Sequence, residues 1–171
     1  VRGALTHMFP LGGEVIGVAV GRSTALASLF LGIMAANCLY LPIDVDLPKD
    51  RVRLMLAASG CAVVLNDGSM PVEREISTIP HWVVSRPTSC TYTKPRLLPL
   101  DRVGYLIFTS GSTGNPKGVL APVAPLVSHH AWRGAFLGAT VLDRVLSKAS
   151  ISFDMHVWEL MLPIVCSGAI V

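Results

Sequence analysis

The chain has 171 residues, 51% of them hydrophobic and only 15% charged, with 14 Lys and Arg against 11 Asp and Glu for a net charge of +3. That length is ordinary for one folded unit, and so small a charge, without a basic run or an interleaved aromatic stripe, gives no footprint for nucleic acid. The four cysteines, Cys38, Cys61, Cys90 and Cys166, form no CxxC pair; they offer neither a zinc knuckle nor a dithiol redox motif and read as reduced, mostly buried thiols of a cytoplasmic protein.

Helical and strand signals alternate along the chain. Ala4–Phe9 predicts a short helix, "EVIGVAV" (Glu14–Val20) a strand, and Ser23–Ala36 a helix. The run Ser23–Ile43 carries no charge and is long enough to span a bilayer. Asn37 and Pro42 interrupt it, however, and its pattern changes midway. Leu26, Leu29, Phe30, Ile33 and Met34 keep helical spacing, whereas "CLYLPI" reads as a strand. A buried helix followed by a buried strand accounts for the hydrophobicity without a membrane. "DVDLPKDRVRLMLAASG" predicts a helix with Asp46 as its N-cap, Pro48 near the first turn and Gly60 as its stop. "CAVVLN" (Cys61–Asn66) and "HWVV" (His81–Val84) read as strands, and Ser85–Pro99 as a solvated connector rich in Pro, Ser and Thr. Val103–Thr109 is a further strand. A helix is expected over Leu126–Leu137, a strand in "DRVLSKAS", a helix over Met155–Val165, and a last strand opening at "AIV". Alternation of this kind implies an α/β layered fold with a largely parallel sheet and flanking helices. No signal peptide is visible; the chain begins without Met and stops at Val171 inside an apolar run, so it is expected to be an internal piece of a larger protein.

Directly after the strand "GYLIF" comes "TSGSTGNPKG", Thr109 to Gly118. Gly111, Gly114 and Gly118 permit positive φ and close approach of a ligand. Thr109, Ser110, Ser112 and Thr113 supply hydroxyl donors beside backbone N–H groups, a concave array suited to phosphate oxygens. Lys117 adds a point charge on a flexible stem, and Pro116 stiffens the chain before it. The segment does not satisfy the Walker A spacing, because Pro116 stands where a glycine is required and Gly118 follows the lysine. Nor is it the G-x-S-x-G of an α/β-hydrolase. The bland alternative is a flexible surface loop, which so biased a composition straight after a buried strand argues against.

"YLIFTSGSTGNPKGVL" resembles the phosphate-loop signature of the adenylate-forming (AMP-dependent synthetase/ligase) superfamily. "LYLPIDVDLPKDR" and "SISFDMHVWE" resemble two further segments of that superfamily in the expected order, so that the resemblance covers nearly the whole chain. Within it, the chain is similar to the adenylation domains of nonribosomal peptide synthetases. The resemblance implies part of the large N-terminal subdomain of such an enzyme over residues 1–171, truncated at both ends and without the C-terminal subdomain. It implies an activity in which an amino acid or other small carboxylic acid attacks the α-phosphate of ATP, giving an acyl-adenylate and pyrophosphate. The acyl group then passes to the phosphopantetheine thiol of a carrier protein domain. By the same resemblance, Thr109, Ser110, Gly111, Ser112, Thr113, Gly114 and Lys117 bind the β- and γ-phosphates, with Thr109 and Lys117 assisting departure of pyrophosphate, and Mg²⁺ is held mostly by groups outside this chain.

In "SFDMHVWEL" the resemblance makes Asp154 the partner of the substrate's α-ammonium group, and places Met155 and Trp158 in the side-chain pocket. A helix starting here brings Asp154 and Trp158 to one face. The residues alone leave alternatives open: Asp154 as a helix cap, Met155 and Trp158 as core, and His156, where relatives usually carry Ser, as a polar residue on the first turn. Tyr40 and Asp44 read as structural, with Asp44 bonding a loop. His129 and His130 are adjacent, so they do not share a helix face, and no further ligand accompanies them; no metal site is expected. Val123 and Pro125 depart from the His and Gly usual in relatives, which puts contacts of that helix in question. The competing functions are an acyl- or aryl-CoA ligase of the same superfamily and a non-catalytic nucleotide-binding remnant. Since later motifs of the family lie beyond Val171, the piece alone is expected to be inactive and marginally stable.

Overall fold

The computed structural model describes residues 1–68, 79–84, 98–110 and 116–171. Gly111–Asn115, Cys90 and nearly all of the Ser85–Pro99 connector lie outside the described residues. The elements in order are α1 (Arg2–Met8), β1 (Val15–Ala19), α2 (Thr24–Ala35), β2 (Leu39–Pro42), α3 (Lys49–Ser59), β3 (Val63–Asn66), β4 (His81–Val83), β5 (Val103–Thr109), β6 (Lys117–Pro122), α4 (Val123–Leu137), β7 (Arg144–Val145), α5 (Met155–Cys166) and β8 (Ala169–Ile170).

Six strands form one sheet in the order β4-β3-β1-β2-β5-β6. The pairings among the first five are all parallel, and β6 runs antiparallel to β5. The chain thus winds outward from β1 in both directions, with α2 and α3 as crossovers, and the expected layered, largely parallel architecture is present. Side chains alternate across the sheet with the period of two that a strand imposes. Ile16, Val18, Tyr40, Val63, Leu65 and Ile107 point to one face, where Leu29, Phe30 and Ile33 of α2, Leu126 of α4 and Leu160 of α5 complete a core. Leu41, Val64, Leu106 and Phe108 point to the other, against Val52, Met55 and Leu56 of α3. Burial on both faces is why the strands read as unbroken apolar runs, and it uses up the hydrophobicity of Ser23–Ile43. Among the described residues, no helix is long and apolar enough to cross a membrane.

Several local expectations are corrected. The N-cap of α3 is Pro48, without a side-chain cap bond. Asp46 instead donates its N–H to Asp44 Oδ1 at 3.1 Å, and Leu47 N–H bonds the Asp44 carbonyl at 3.1 Å, so the turn is organised by Asp44. Gly60 does end α3, at φ +62. β6 was not expected; its alternating partner is β5, reached by a return too short for a parallel crossover. α4 begins at Val123 rather than Leu126, because Pro125 falls within the first turn, where a missing N–H costs no helical bond. In "DRVLSKAS" the strand shortens to Arg144–Val145, which pairs with β8 in a separate two-stranded ribbon, and Ser147 N–H extends the contact to the Val171 carbonyl at 2.8 Å. α5 continues through Pro163 to Cys166 and closes on Ser167, which takes the left-handed conformation at φ +56.

Candidate functional site

The C-terminal edge of a parallel sheet is where α/β folds collect ligands, and here that edge gathers most of the singled-out residues. β5 delivers Thr109 and Ser110 to it. β6 starts at Lys117, directly opposite Thr109 in the ladder, and Thr109 Oγ1 donates to the Lys117 carbonyl at 3.4 Å. Both ends of the glycine-rich segment are therefore tied to one rigid hairpin, while Gly111, Ser112, Thr113 and Gly114 lie outside the described residues. The antiparallel return, absent from the sequence reading, is what sets the lysine beside the threonine.

Three tethers hold the segment that carries Asp154. Ser150 Oγ donates to Asp44 Oδ2 at 2.5 Å, joining the turn after β2 to the loop that enters α5. Both Glu159 carboxylate oxygens accept the Ala149 N–H, at 3.1 and 3.0 Å, and Glu159 is buried. His156 is the third. Its Nδ1–H donates to the Phe153 carbonyl, and its Nε2 accepts the Tyr40 hydroxyl at 3.2 Å. Tyr40 is itself fully buried and edge-on to Phe30. Burial lowers the His156 pKa, against the raising effects of the Phe153 carbonyl, Glu159 and Asp154, and it raises that of the Tyr40 phenol. His156 is thus a core bracket rather than a surface group on the first turn, a role that its alternation with exposed Met155 did not reveal.

Asp154 occupies the N-cap position of α5 but has helical dihedrals, φ −62 and ψ −22, and its side chain makes no capping bond. Its backbone carbonyl receives the N–H groups of Val157 and Trp158, leaving the exposed carboxylate outside the helix's hydrogen bonding. Two cavities meet at this residue. One, of about 360 Å³, is lined by Met155, Val157 and Trp158 of α5 and by Leu126, His129, His130 and Arg133 of α4. The other, of about 610 Å³, is lined by Thr109 and Ser110, by Asp44, Asp46 and Arg51, and by Ser150 and Ser152. Tyr105, Ala121 and Asp154 line both. The Tyr105 pKa is raised, first by burial and then by the Asp154 charge. Lys117 is not among the residues lining either cavity.

The α4 wall was missed in the sequence. The sequence raises His129 and His130 only as metal ligands; in the structure their rings approach to 5.4 Å and both line the smaller cavity. His130 is buried, its Nδ1–H donates to the Leu126 carbonyl at 2.6 Å, and burial lowers its pKa. The Arg133 guanidinium lies 4.6 Å from the Trp158 ring centroid. The four-residue step from His129 to Arg133 was the available signal. Cys38, Cys61 and Cys166 are free thiols. Among the described residues, no three of His, Cys, Asp and Glu are grouped to hold a metal ion.

The sequence profile of a family described as AMP-binding enzyme matches residues 11–171. Tyrocidine synthase 3 of Brevibacillus parabrevis is 32% identical over 162 residues, which cover 92% of this chain and 2% of that protein. Enterobactin synthase component F of Escherichia coli (strain K12) is 30% identical over 161 residues, covering 93% and 12%. The chain therefore spans a small fraction of the length of the curated relatives it matches. Among solved structures, the AMPPNP-bound form of the nonribosomal peptide synthetase FmoA3 superposes with a TM-score of 0.84 at 24% identity, over 99% of this chain and 18% of that one. PA1221, a nonribosomal peptide synthetase protein containing adenylation and PCP domains, superposes with a TM-score of 0.81 at 22% identity, over 99% and 29%.

Proposed function

The chain belongs to the AMP-binding enzyme family, and from that membership we propose that it is part of a cytoplasmic ligase that activates an amino acid with ATP for nonribosomal peptide synthesis. The observation that carries this reading is the position of Asp154, whose uncommitted carboxylate sits on the wall shared by two cavities. An amino acid whose α-ammonium pairs with Asp154 has its side chain in the cavity of Met155 and Trp158, and its carboxylate towards the cavity of Thr109 and Ser110. A carboxylate is the right partner for a cation in a partly dry pocket, and a fatty or aryl acid would leave it unused, which disfavours a CoA ligase handling such acids.

A substrate carboxylate oxygen then bonds to the α-phosphorus of ATP as the bond from that phosphorus to the bridging oxygen breaks and pyrophosphate leaves. Charge accumulates on the departing pyrophosphate, and donors already in place lower the barrier most. Thr109, Ser110 and Lys117, with Gly111, Ser112, Thr113 and Gly114, are the groups proposed to meet it. In the second step a phosphopantetheine thiol of a carrier domain attacks the acyl carbon and AMP leaves. Among the described residues no group of three His, Cys, Asp or Glu could hold a metal ion; Mg²⁺ would arrive with the nucleotide phosphates and neutralise their charge. The test is amino-acid-dependent ATP–pyrophosphate exchange by the protein expressed from its complete reading frame. Lys117→Ala should slow exchange by about 10²–10³, the scale for losing one preorganised donor. An unchanged rate at saturating ATP would remove Lys117 from the mechanism.

A further inference from the structure

Resting on the reading that Asp154 pairs with the substrate's ammonium group, we propose that His156 is a positioning residue for that pairing, held in place by Tyr40 from inside the core. The chain leaves the core after Ile151 and returns to it at His156, and the three residues Phe153, Asp154 and Met155 are exposed. Phe153 is 66% exposed, whereas His156 is 1% exposed. Burial of its own side chains therefore does not hold the peptide that delivers Asp154. Its carbonyl does. The Phe153 carbonyl accepts two hydrogen bonds, and both come from His156: one from the backbone N–H at 3.3 Å and one from the ring Nδ1–H. The Asp154 carboxylate makes no capping bond, so the backbone sets where that carboxylate can reach.

The ring is fixed at its other end as well. With the Nδ1 proton given to the Phe153 carbonyl, Nε2 is an acceptor, and the Tyr40 hydroxyl donates to it at 3.2 Å. Tyr40 lies in β2, paired on one side with β1 and on the other with β5. It is 0% exposed and packs edge-on against Phe30. A line of contact thus runs from the sheet through Tyr40 and His156 to the peptide that precedes Asp154. Neither Tyr40 nor His156 lines either cavity that meets at Asp154, so their influence on a bound substrate passes through the segment they hold. A binding group has to stay within about 0.5 Å and 10–20° of its productive geometry. Without the ring donor the Phe153–Asp154 peptide is free to tilt, and the carboxylate moves with it. A tilt also shifts Met155 and Trp158, but it does so for every substrate. A substrate without the ammonium group therefore separates the two effects.

The experiment is ATP–pyrophosphate exchange at saturating ATP by the protein expressed from its complete reading frame, with kcat and KM measured separately. The substrates are the most active of the twenty proteinogenic amino acids and its des-amino analogue. His156→Leu should lower the ratio of kcat/KM between the amino acid and the analogue by about tenfold, the scale of a weakened charge-assisted hydrogen bond, with most of the loss in KM. His156→Asn, whose Nδ2–H can replace the ring Nδ1–H, should restore most of the ratio. Tyr40→Phe keeps the ring and frees the imidazole, and should lower the ratio by about threefold. In an Asp154→Ala background His156→Leu should leave the ratio where Asp154→Ala puts it. A ratio of two substrates removes any difference in the amount of folded enzyme, and Tyr40→Phe reads the same quantity if His156→Leu does not fold. Equal losses on both substrates in His156→Leu and Tyr40→Phe, or a further drop of the ratio in the Asp154→Ala background, overturn this inference and leave the role of Asp154 standing. Equal losses on both substrates in Asp154→Ala itself overturn the reading on which the inference rests.

Discussion

Tyr40→Phe isolates the bracket that holds the start of α5. The ring is fully buried and stays packed edge-on against Phe30, with centroids 5.1 Å apart, so the substitution removes only the hydroxyl. What is lost is the donor to His156 Nε2 at 3.2 Å, and that acceptor is left unpaired in a side chain only 1% exposed. Stranding a buried acceptor costs about 1–3 kcal/mol. At about 2–4 °C per kcal/mol for a chain of this size, the melting temperature should fall by roughly 2–12 °C. Urea unfolding followed by far-UV circular dichroism at pH 8 should show a lower midpoint with an unchanged slope. In a His156→Leu background the acceptor is gone, so the same substitution should cost at least about 1 kcal/mol less. A loss below about 0.5 kcal/mol in the parent, or an equal loss in both backgrounds, would refute the bracket.

Other outcomes follow from the same geometry. Glu159→Ala removes both acceptors of the Ala149 N–H and should cost about 2–4 kcal/mol by urea unfolding, with Glu159→Gln costing less because one oxygen remains. Gly60→Ala forces a side chain into φ +62 at the end of α3 and should cost about 1–2 kcal/mol in the same assay. Burial depresses the folded-state pKa of both His130 and His156 below the ordinary 6.5, so the unfolded chain binds protons first. Their contribution to stability is complete above pH 6.5 and is lost as pH falls from there through the lowered folded values. Unfolding midpoints should therefore drop between pH 7.5 and 5.5, and by less in His156→Leu.

The elements buried on both faces were the most legible part of the sequence. Unbroken apolar runs in β1, β2, β3 and β5 identify themselves, and the alternation with α2, α3 and α5 implies the parallel order. β6 was missed because Lys117–Pro122 has mostly exposed side chains and is held by its ladder with β5, a long-range property that local composition does not carry. The site was legible where one short segment holds it, as with Thr109–Gly118 and Asp154–Trp158. It was not legible where the cavity is made by a second helix: His130 and Arg133 become its wall only because α4 packs against α5. His156 shows the same limit, since a histidine on a first helical turn reads as polar surface until Tyr40, 116 positions earlier, is found against it.

The measurement that tests the central claim most directly is ATP–pyrophosphate exchange by wild type and Asp154→Ala, each assayed with the amino acid that the enzyme turns over and with that substrate's des-amino analogue. Removing the ammonium's partner should cut kcat/KM for the amino acid by at least about tenfold, the loss of one charge-assisted hydrogen bond, and should leave the des-amino analogue nearly unaffected. Equal losses for the two substrates would make Asp154 a structural residue at the start of α5 and would contradict the account.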